Sequence, residues 1–313
     1  MRYVIEAKEE QDVVVNLKMD RNIWEINGPH FVSIDKRRKD YNISFSGITN
    51  EGRNISMYVA YRFSERVTYQ DGMFYLSKHL NPHQTFTLRV YAYIVQDEPY
   101  SDDGFKVVES ISLLGFHQLY RQHTLTFEKK WKYANVDVMG DEQADFELKY
   151  SIYHLLILED EESLKSIPAR GLSGQVYKGA IFWDTEIFML PFYTLTNPMF
   201  ARNLIQYRIN TLLGALAKAK ELGYEGAFYA WESQEDGLER CSKFNVTDPI
   251  TGEPIRTYFN EKQIHISADI VLAMSYYLKW TNDYSILRDG GFEVMYQVVR
   301  FFMSYANNIN GIY

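Results

Sequence analysis

The sequence predicts a multidomain β + α protein, with a β-rich first third, a helical connector and an all-α second half. Apolar residues alternate with a period of two up to about residue 100. From Ser110 they recur at three- and four-residue spacing, and the two regimes do not intermix. A length of 313 residues agrees with about two domains.

In the first third, Thr85 to Ile94 places Phe86, Leu88, Val90, Ala92 and Ile94 on one face. Ile55, Met57, Val59, Tyr61 and Phe63 repeat the pattern, and Ile43 and Phe45 begin another strand. Breaks at Asn27-Gly28-Pro29, Asn50-Glu51-Gly52 and Gln70-Asp71-Gly72 imply antiparallel strands with one buried face, forming a sheet or part of a sandwich. No clustered histidines, metal-ligand spacing or Gly-rich phosphate loop occurs there, so its expected role is structural.

The connector carries Phe116, Leu119, Tyr120, Leu125, Phe127 and Trp131 at helical offsets among charged residues. Beyond it, Gly140-Asp141 is read as the cap of a helix from Glu142 to about Leu158. Asn197-Pro198 starts another, expected to run through Leu216 and to end at Gly223. Ile264 to Trp280 is apolar nearly all round and is expected to be buried on all sides. A last helical region opens at Asp283, is interrupted at Gly290-Gly291 and continues through Phe301-Phe302.

Composition narrows the function. The chain is 46% hydrophobic and 24% charged, with a net charge of −8 and no basic run beyond Lys36-Arg37-Arg38-Lys39, which argues against nucleic-acid binding. The lone Cys241 excludes an internal disulfide and fits a reducing compartment. The start lacks the apolar stretch of a signal peptide and no run of about 18 apolar residues follows, so a cytoplasmic, non-membrane protein is expected. Aromatic residues reach 16%, which suits carbohydrate-handling clefts and aromatic β cores alike.

Three stretches could carry chemistry. The first runs from Lys178 to Phe192 and places Trp183, Asp184 and Glu186 at the start of an apolar helical run. Trp183 offers a flat face for the C–H side of a sugar and Asp184 two acceptors for adjacent hydroxyls. Equally, Asp184 could be a helix N-cap, Trp183 a core anchor and Glu186 a favourable charge at the helix start. Local residues alone would nominate Asp184 or Glu186 as catalytic. The second stretch, Gly223 to Gly237, holds Trp231-Glu232 in a Gly-punctuated loop. There Glu235 and Asp236, with Glu239 just beyond, are read as a solvated acidic cluster. In the third, Gln263 to Asp269, His265 and Asp269 lie four apart and face the same way on a helix. Without a third ligand they make no metal site, and none is expected.

Together these stretches resemble glycoside hydrolase family 65, the kojibiose, maltose, trehalose and nigerose phosphorylases and related hydrolases. The matching elements are Ile167-Pro168-Ala169-Arg170-Gly171-Leu172-Ser173-Gly174, Phe182-Trp183-Asp184-Thr185-Glu186-Ile187-Phe188, Tyr207-Arg208, Leu222-Gly223-Tyr224, Trp231-Glu232-Ser233 and His265-Ile266-Ser267-Ala268-Asp269. The resemblance implies part of an N-terminal β-sandwich over residues 1–109, a helical linker over 110–139, and the first part of an (α/α)6 barrel over 140–313. It implies that Trp183 and Asp184 hold the glucosyl unit, so Asp184 becomes a binding residue. Trp231 and Glu232 then lie near the neighbouring sugar, with His265 a further substrate-binding residue. Ala180 stands where many members have His, and Ala230 where many have Pro, which bears on linkage preference.

The activity implied is inverting phosphorolysis of α-glucosidic disaccharides of the kojibiose, maltose or trehalose type, giving β-glucose 1-phosphate and glucose. Inorganic phosphate is the co-substrate, with no other cofactor. The alternatives are an α-glucoside hydrolase of the same family or a non-catalytic sugar-binding remnant. The family's general acid is a Glu in a G-P-D-E-Y-type motif, expected beyond residue 313, so no catalytic residue is assigned in the chain and the chain alone is expected to be inactive. An incomplete set of barrel helices is expected to leave apolar faces exposed and favour self-association. A homodimer is implied for a full-length parent.

Overall fold

The computed structural model describes residues 1–19, 30–49, 52–160, 163–172 and 176–306. The expected turn at Asn27-Gly28-Pro29, and Asn50-Glu51, Ser173-Gly174 and residues 307–313, lie outside them. The chain divides into two compact units, Met1–Lys129 and Lys130–Tyr313.

The first unit contains β1 (Arg2–Glu6), β2 (Gln11–Leu17), β3 (Phe31–Lys39), β4 (Asn42–Thr49), β5 (Asn54–Phe63), β6 (Thr68–Gln70), β7 (Met73–Leu80) and β8 (Thr85–Gln96). An antiparallel five-stranded sheet runs in the order β1-β8-β5-β4-β3, and a three-stranded sheet in the order β2-β7-β6. The turn between β6 and β7 falls at Asp71-Gly72, both at positive φ, as the sequence predicts for a tight hairpin. Apolar side chains of the two sheets interlock: Leu76 and Leu80 with Phe86 and Leu88, and Phe74 with Ile43, Val59 and Tyr61.

The expectation of one buried face holds only in part. Helix α1 (Asp103–Leu114) covers the other side of the sheet centre, where Phe105 and Val108 pack on Tyr58, Ala60 and Tyr91. The approach is close, since a Cβ at Gly104 would stand 2.2 Å from the Tyr58 ring. Ile94, at the far end of β8, is exposed instead. Helical structure therefore begins at Asp103, ahead of Ser110. Helix α2 (Phe116–Ala134) carries the chain into the second unit.

The second unit is helical. It contains α3 (Glu142–Leu156), α4 (Leu190–Thr196), α5 (Pro198–Asn210), α6 (Leu212–Glu221), a short hairpin of β9 (Val246–Thr247) and β10 (Pro254–Ile255), α7 (Phe259–Lys262), α8 (His265–Thr281) and α9 (Phe292–Tyr305). Both predicted caps are present. Asp141 accepts a hydrogen bond from the Ala144 N–H at 3.0 Å, and Asn197 from the Phe200 N–H at 3.2 Å. Tyr193 of α4, Phe200 and Leu204 of α5, Ile270 and Met274 of α8 and Val298 of α9 share one core.

Two expectations are corrected. The helix expected from Asn197 to Gly223 breaks at Thr211, whose hydroxyl donates back to the Tyr207 carbonyl at 2.9 Å. Gly237 from a later loop packs into that break, where a Cβ on it would stand 2.5 Å from the Thr211 Cβ. Nor is α8 buried all round. Ile266, Ile270, Ala273, Met274 and Tyr277 face the core, while Leu272, Tyr276 and Trp280 form an exposed stripe. The Gly290-Gly291 interruption is present, with Gly290 at φ 120° and tight against Ile209. Among the described residues no helix is long and apolar enough to cross a membrane.

Candidate functional site

The site is built where two non-helical segments meet. Ile181 and Ser233 form an isolated antiparallel bridge, with N–H to carbonyl distances of 2.8 and 2.9 Å. This bridge joins the Phe182-Trp183-Asp184 stretch to the Trp231-Glu232-Ser233 stretch, which are distant in sequence. Helix α5 holds both. The Tyr207 hydroxyl lies 2.6 Å from the Ser233 hydroxyl and donates to the Gln234 carbonyl at 2.7 Å. Its neighbour Arg208 donates to the Phe182 carbonyl at 2.9 Å and to both oxygens of Glu186 at 2.7 and 2.8 Å.

The second segment crosses the helices as buried, non-helical chain, so its backbone groups need partners from several elements. Ala227 N–H donates to Gln297 O of α9, Phe228 N–H to Ala215 O of α6, and Tyr229 N–H to the Ser267 hydroxyl of α8. Trp231 and Glu232 N–H groups donate to the Glu239 carboxylate at 2.8 and 3.1 Å.

The result is an aromatic cluster. The rings of Trp183 and His265 meet edge to face at 4.9 Å, and those of Trp231 and His265 at 6.4 Å. Phe182 stands edge-on to Trp231, and Phe259 stacks on it at 5.6 Å. Trp183, Trp231 and His265 are all half-buried, so the cluster keeps accessible surface. His265 Nδ1 lies 2.6 Å from Asp269 Oδ2, as the four-residue spacing predicts. A carboxylate only accepts, so Nδ1 carries the proton in this contact and Nε2 is left for another partner.

Asp184 stands at the N-cap position of the turn that follows, and Trp183 packs against the helical core. Asp184 has helical dihedrals, however, and its side chain caps nothing. Among the described residues this half-buried carboxylate accepts no hydrogen bond. The chain after it makes a π-helical turn, Thr185–Met189, closed by the Leu190 N–H on the Thr185 carbonyl. Thr185 fixes the turn from below by donating to the Ile167 carbonyl at 2.9 Å.

Glu186 does lie in the first turn, as the local reading expects, but its carboxylate is tied up by Arg208 rather than poised for catalysis. With 2% side-chain exposure it is locked to Arg208, which has 1%. Burial opposes the arginine's charge, but the Glu186 carboxylate outweighs it and raises the guanidinium pKa further above its ordinary value. Glu232 is buried, its carboxylate against the Cys241 thiol. Burial first, then the Glu232 and Glu239 charges, push that thiol up to about 12, so it is inert at neutral pH.

The sequence reading missed Glu239. Glu235 and Asp236 are half-exposed, as a solvated cluster should be, and pair with Lys165 and Arg240. Glu239 instead turns inward to the Trp231 loop and to Lys218 of α6. The only signal for this was a lysine on a helix face with Ala215 and Ala219. Ala180 and Ala230, the two departures from the family pattern, are both buried beside these segments. Among the described residues no group of three His, Cys, Asp or Glu side chains could hold a metal ion.

The chain thus runs from a β region into helices, with a Trp–carboxylate pair on each of two bridged segments. Residues 149–313 match the glycosyl hydrolase family 65 central catalytic domain, and the chain belongs to that family. Nigerose phosphorylase of Lachnoclostridium phytofermentans is 36% identical over 97% of this chain and 45% of its own length. The 1,2-alpha-glucosylglycerol phosphorylase of Bacillus selenitireducens is 34% identical over 98% of this chain and 41% of its own. Kojibiose phosphorylase of Halothermothrix orenii is 38% identical over 60% of this chain. A solved structure described as a kojibiose phosphorylase from the human microbiome superposes with a TM-score of 0.76 at 21% identity, covering 99% of this chain and 41% of that one, a likeness of fold. The chain thus spans less than half the length of these relatives.

Proposed function

We propose that the chain is the sugar-recognition portion of an inverting α-glucoside phosphorylase. Trp183 and Asp184 hold the glucosyl unit, and Trp231, Glu232 and His265 line the place of the neighbouring sugar. The observation that carries this reading is the convergence of Trp183, Trp231 and His265 beside a half-buried Asp184 that accepts no hydrogen bond among the described residues. Aromatic faces and a poised acceptor are what a pyranose with adjacent hydroxyls requires. In this proposal the first unit is part of a β-sandwich and the second the first part of an (α/α)6 barrel.

In phosphorolysis an acid protonates the glycosidic oxygen while phosphate, already anionic, attacks the opposite face. A hydrolase needs a second carboxylate to activate water. Around the cluster, Glu186 is committed to Arg208, Asp269 to His265, Glu239 to Lys218 and backbone N–H groups, and Glu232 lies against Cys241. Asp184, half-buried and accepting no hydrogen bond among the described residues, we assign to sugar hydroxyls. The phosphorylase names of the relatives favour phosphorolysis over hydrolysis. Products would be β-glucose 1-phosphate and the released sugar, with inorganic phosphate as co-substrate, no metal or organic cofactor, and a cytoplasmic setting suited to a free thiol.

The test has two arms. Glucose should quench or shift the tryptophan fluorescence of the purified chain, and W183A or D184N should abolish the response. With kojibiose, nigerose or trehalose plus phosphate, the 313 residues alone should release no glucose 1-phosphate. A glucose response unaltered by both substitutions overturns the binding assignment, and turnover by the chain overturns the inactivity.

A further inference from the structure

We propose that Glu239 is the positioning residue of the Trp231-Glu232 pair, its carboxylate acting as the template on which the sugar-facing loop is folded. The proposal rests on the sugar-site reading above and adds the group that sets its geometry.

Three backbone N–H groups converge on one side chain. Glu239 Oε2 accepts from Trp231 N at 2.8 Å, and Oε1 accepts from Glu232 N at 3.1 Å and from Cys241 N at 3.0 Å. The Lys218 ammonium completes the set at 2.7 Å from Oε2. Glu239 is 15% exposed and Lys218 only 6%. Hydrogen bonds to an ionised acceptor are shorter and stronger than neutral ones, so this carboxylate fixes its donors firmly.

The consequence for the site follows from what else holds the loop. Ser233 N–H belongs to the bridge with Ile181, which sets the register between the two tryptophan segments. Without Glu239, the Trp231 and Glu232 N–H groups would face a buried region with no acceptor, and the Trp231 ring would lose its fixed place beside His265. The loop closes on itself here, since Arg240 N–H donates to the Glu232 carbonyl at 2.9 Å. Its docking point is the break in α5–α6, where Gly237 lies against Thr211 and Gly214 too closely for a Cβ on Gly214, which would stand 2.5 Å from the Gly237 carbonyl carbon. That fit aims Glu239 inward toward Lys218, which also donates to the Tyr229 carbonyl at 3.2 Å.

Lys218 is a counter-ion and Glu239 the template, and two variants separate these roles. E239Q keeps the shape but puts an amide donor where donors already converge. K218M removes the buried ammonium and leaves all three N–H acceptances in place. Amide hydrogen exchange is read at Trp231, Glu232, Cys241 and Ser233, and glucose affinity is read by tryptophan fluorescence on the full 313-residue chain. In E239Q, exchange at Trp231, Glu232 and Cys241 should speed at least tenfold while Ser233 stays protected, and glucose affinity should fall at least tenfold. In K218M the three amides should stay protected and affinity should remain within about twofold, even where melting temperature falls.

Unchanged exchange in E239Q overturns the proposal, as does faster exchange with unchanged affinity. Equal losses of affinity in the two variants overturn it too, because they track stability alone. An unaltered chain that does not respond to glucose overturns the sugar-site reading itself, while its exchange pattern still reports whether Glu239 holds the loop.

Discussion

Arg208 and Glu186 form a two-pronged ion pair, at 2.7 and 2.8 Å, in which both side chains are withdrawn from water, and the same guanidinium holds the Phe182 carbonyl. The pair bridges α5 to the turn that follows Trp183-Asp184. Its geometric effect is to fix where that tryptophan and carboxylate emerge. Removing one member leaves the other as an uncompensated buried charge, which typically costs about 3–5 kcal/mol. R208M should therefore lower chemical-denaturation stability by about that amount and abolish the glucose response. The double variant R208M/E186L should recover much of the stability without the binding. Wild-type stability in R208M would show that the pair does not order the turn.

Tyr207 tests the other half of the clamp. Y207F removes one hydroxyl and leaves the Gln234 carbonyl and the Ser233 hydroxyl with only their long 3.4 Å contact to each other, so each is close to orphaned. A buried group so orphaned costs about 1–3 kcal/mol. The expected outcome is that loss in a denaturant titration, with glucose affinity reduced less than in W183A.

The contrast between these residues and the caps shows what was legible in the sequence. Asp141 and Asn197 bond to N–H groups three residues on, so a local pattern announced them. The Trp183-Asp184 turn was legible because two polar or bulky groups interrupt an apolar run. Arg208 meets Glu186, and Lys218 meets Glu239, across more than twenty residues, and no spacing rule connects them. Glu239 looks like Glu235 and Asp236 until the Gly237 contact with Thr211 turns it inward. The same contact marks the break in α5–α6 that the unbroken helical periodicity hid. In the β region, alternation identified the strands, but α1 lies on the opposite face of Tyr58 and Tyr91, whose large aromatic rings suit either environment.

Cys241 provides the pH dependence. Its folded thiol is pushed up from 9.0 to about 12, mainly by burial. The folded chain thus holds this proton more tightly than the unfolded chain. The associated stability is complete below pH 9 and is lost as pH rises toward 12. Melting temperature should fall across that window, and C241A should flatten this part of the fall. At pH 8 the folded chain should react with iodoacetamide at least a hundredfold more slowly than the unfolded chain, since thiolate is the reactive form. Equal rates in the folded and unfolded chain would place the thiol in solvent.

Helix α9 carries the last prediction. Phe292, Tyr296, Val299 and Met303 follow the i, i+4, i+7, i+11 pattern of a single stripe, and each is more than half exposed. The opposite side of the same helix is fully committed, with Val294, Val298 and Phe301 in the core. Helix α8 repeats the arrangement with its exposed Leu272, Tyr276 and Trp280. Apolar stripes of this kind favour association wherever another apolar surface can cover them. The purified chain should therefore scatter light as a mixture heavier than its monomer mass. Tyr296→Lys with Val299→Lys should shift it toward monomer, and melting temperature should change little because neither side chain is buried. A sharp monomer peak from the unaltered chain at high concentration would show that the stripe is tolerated by water, and would remove self-association as a property of these helices.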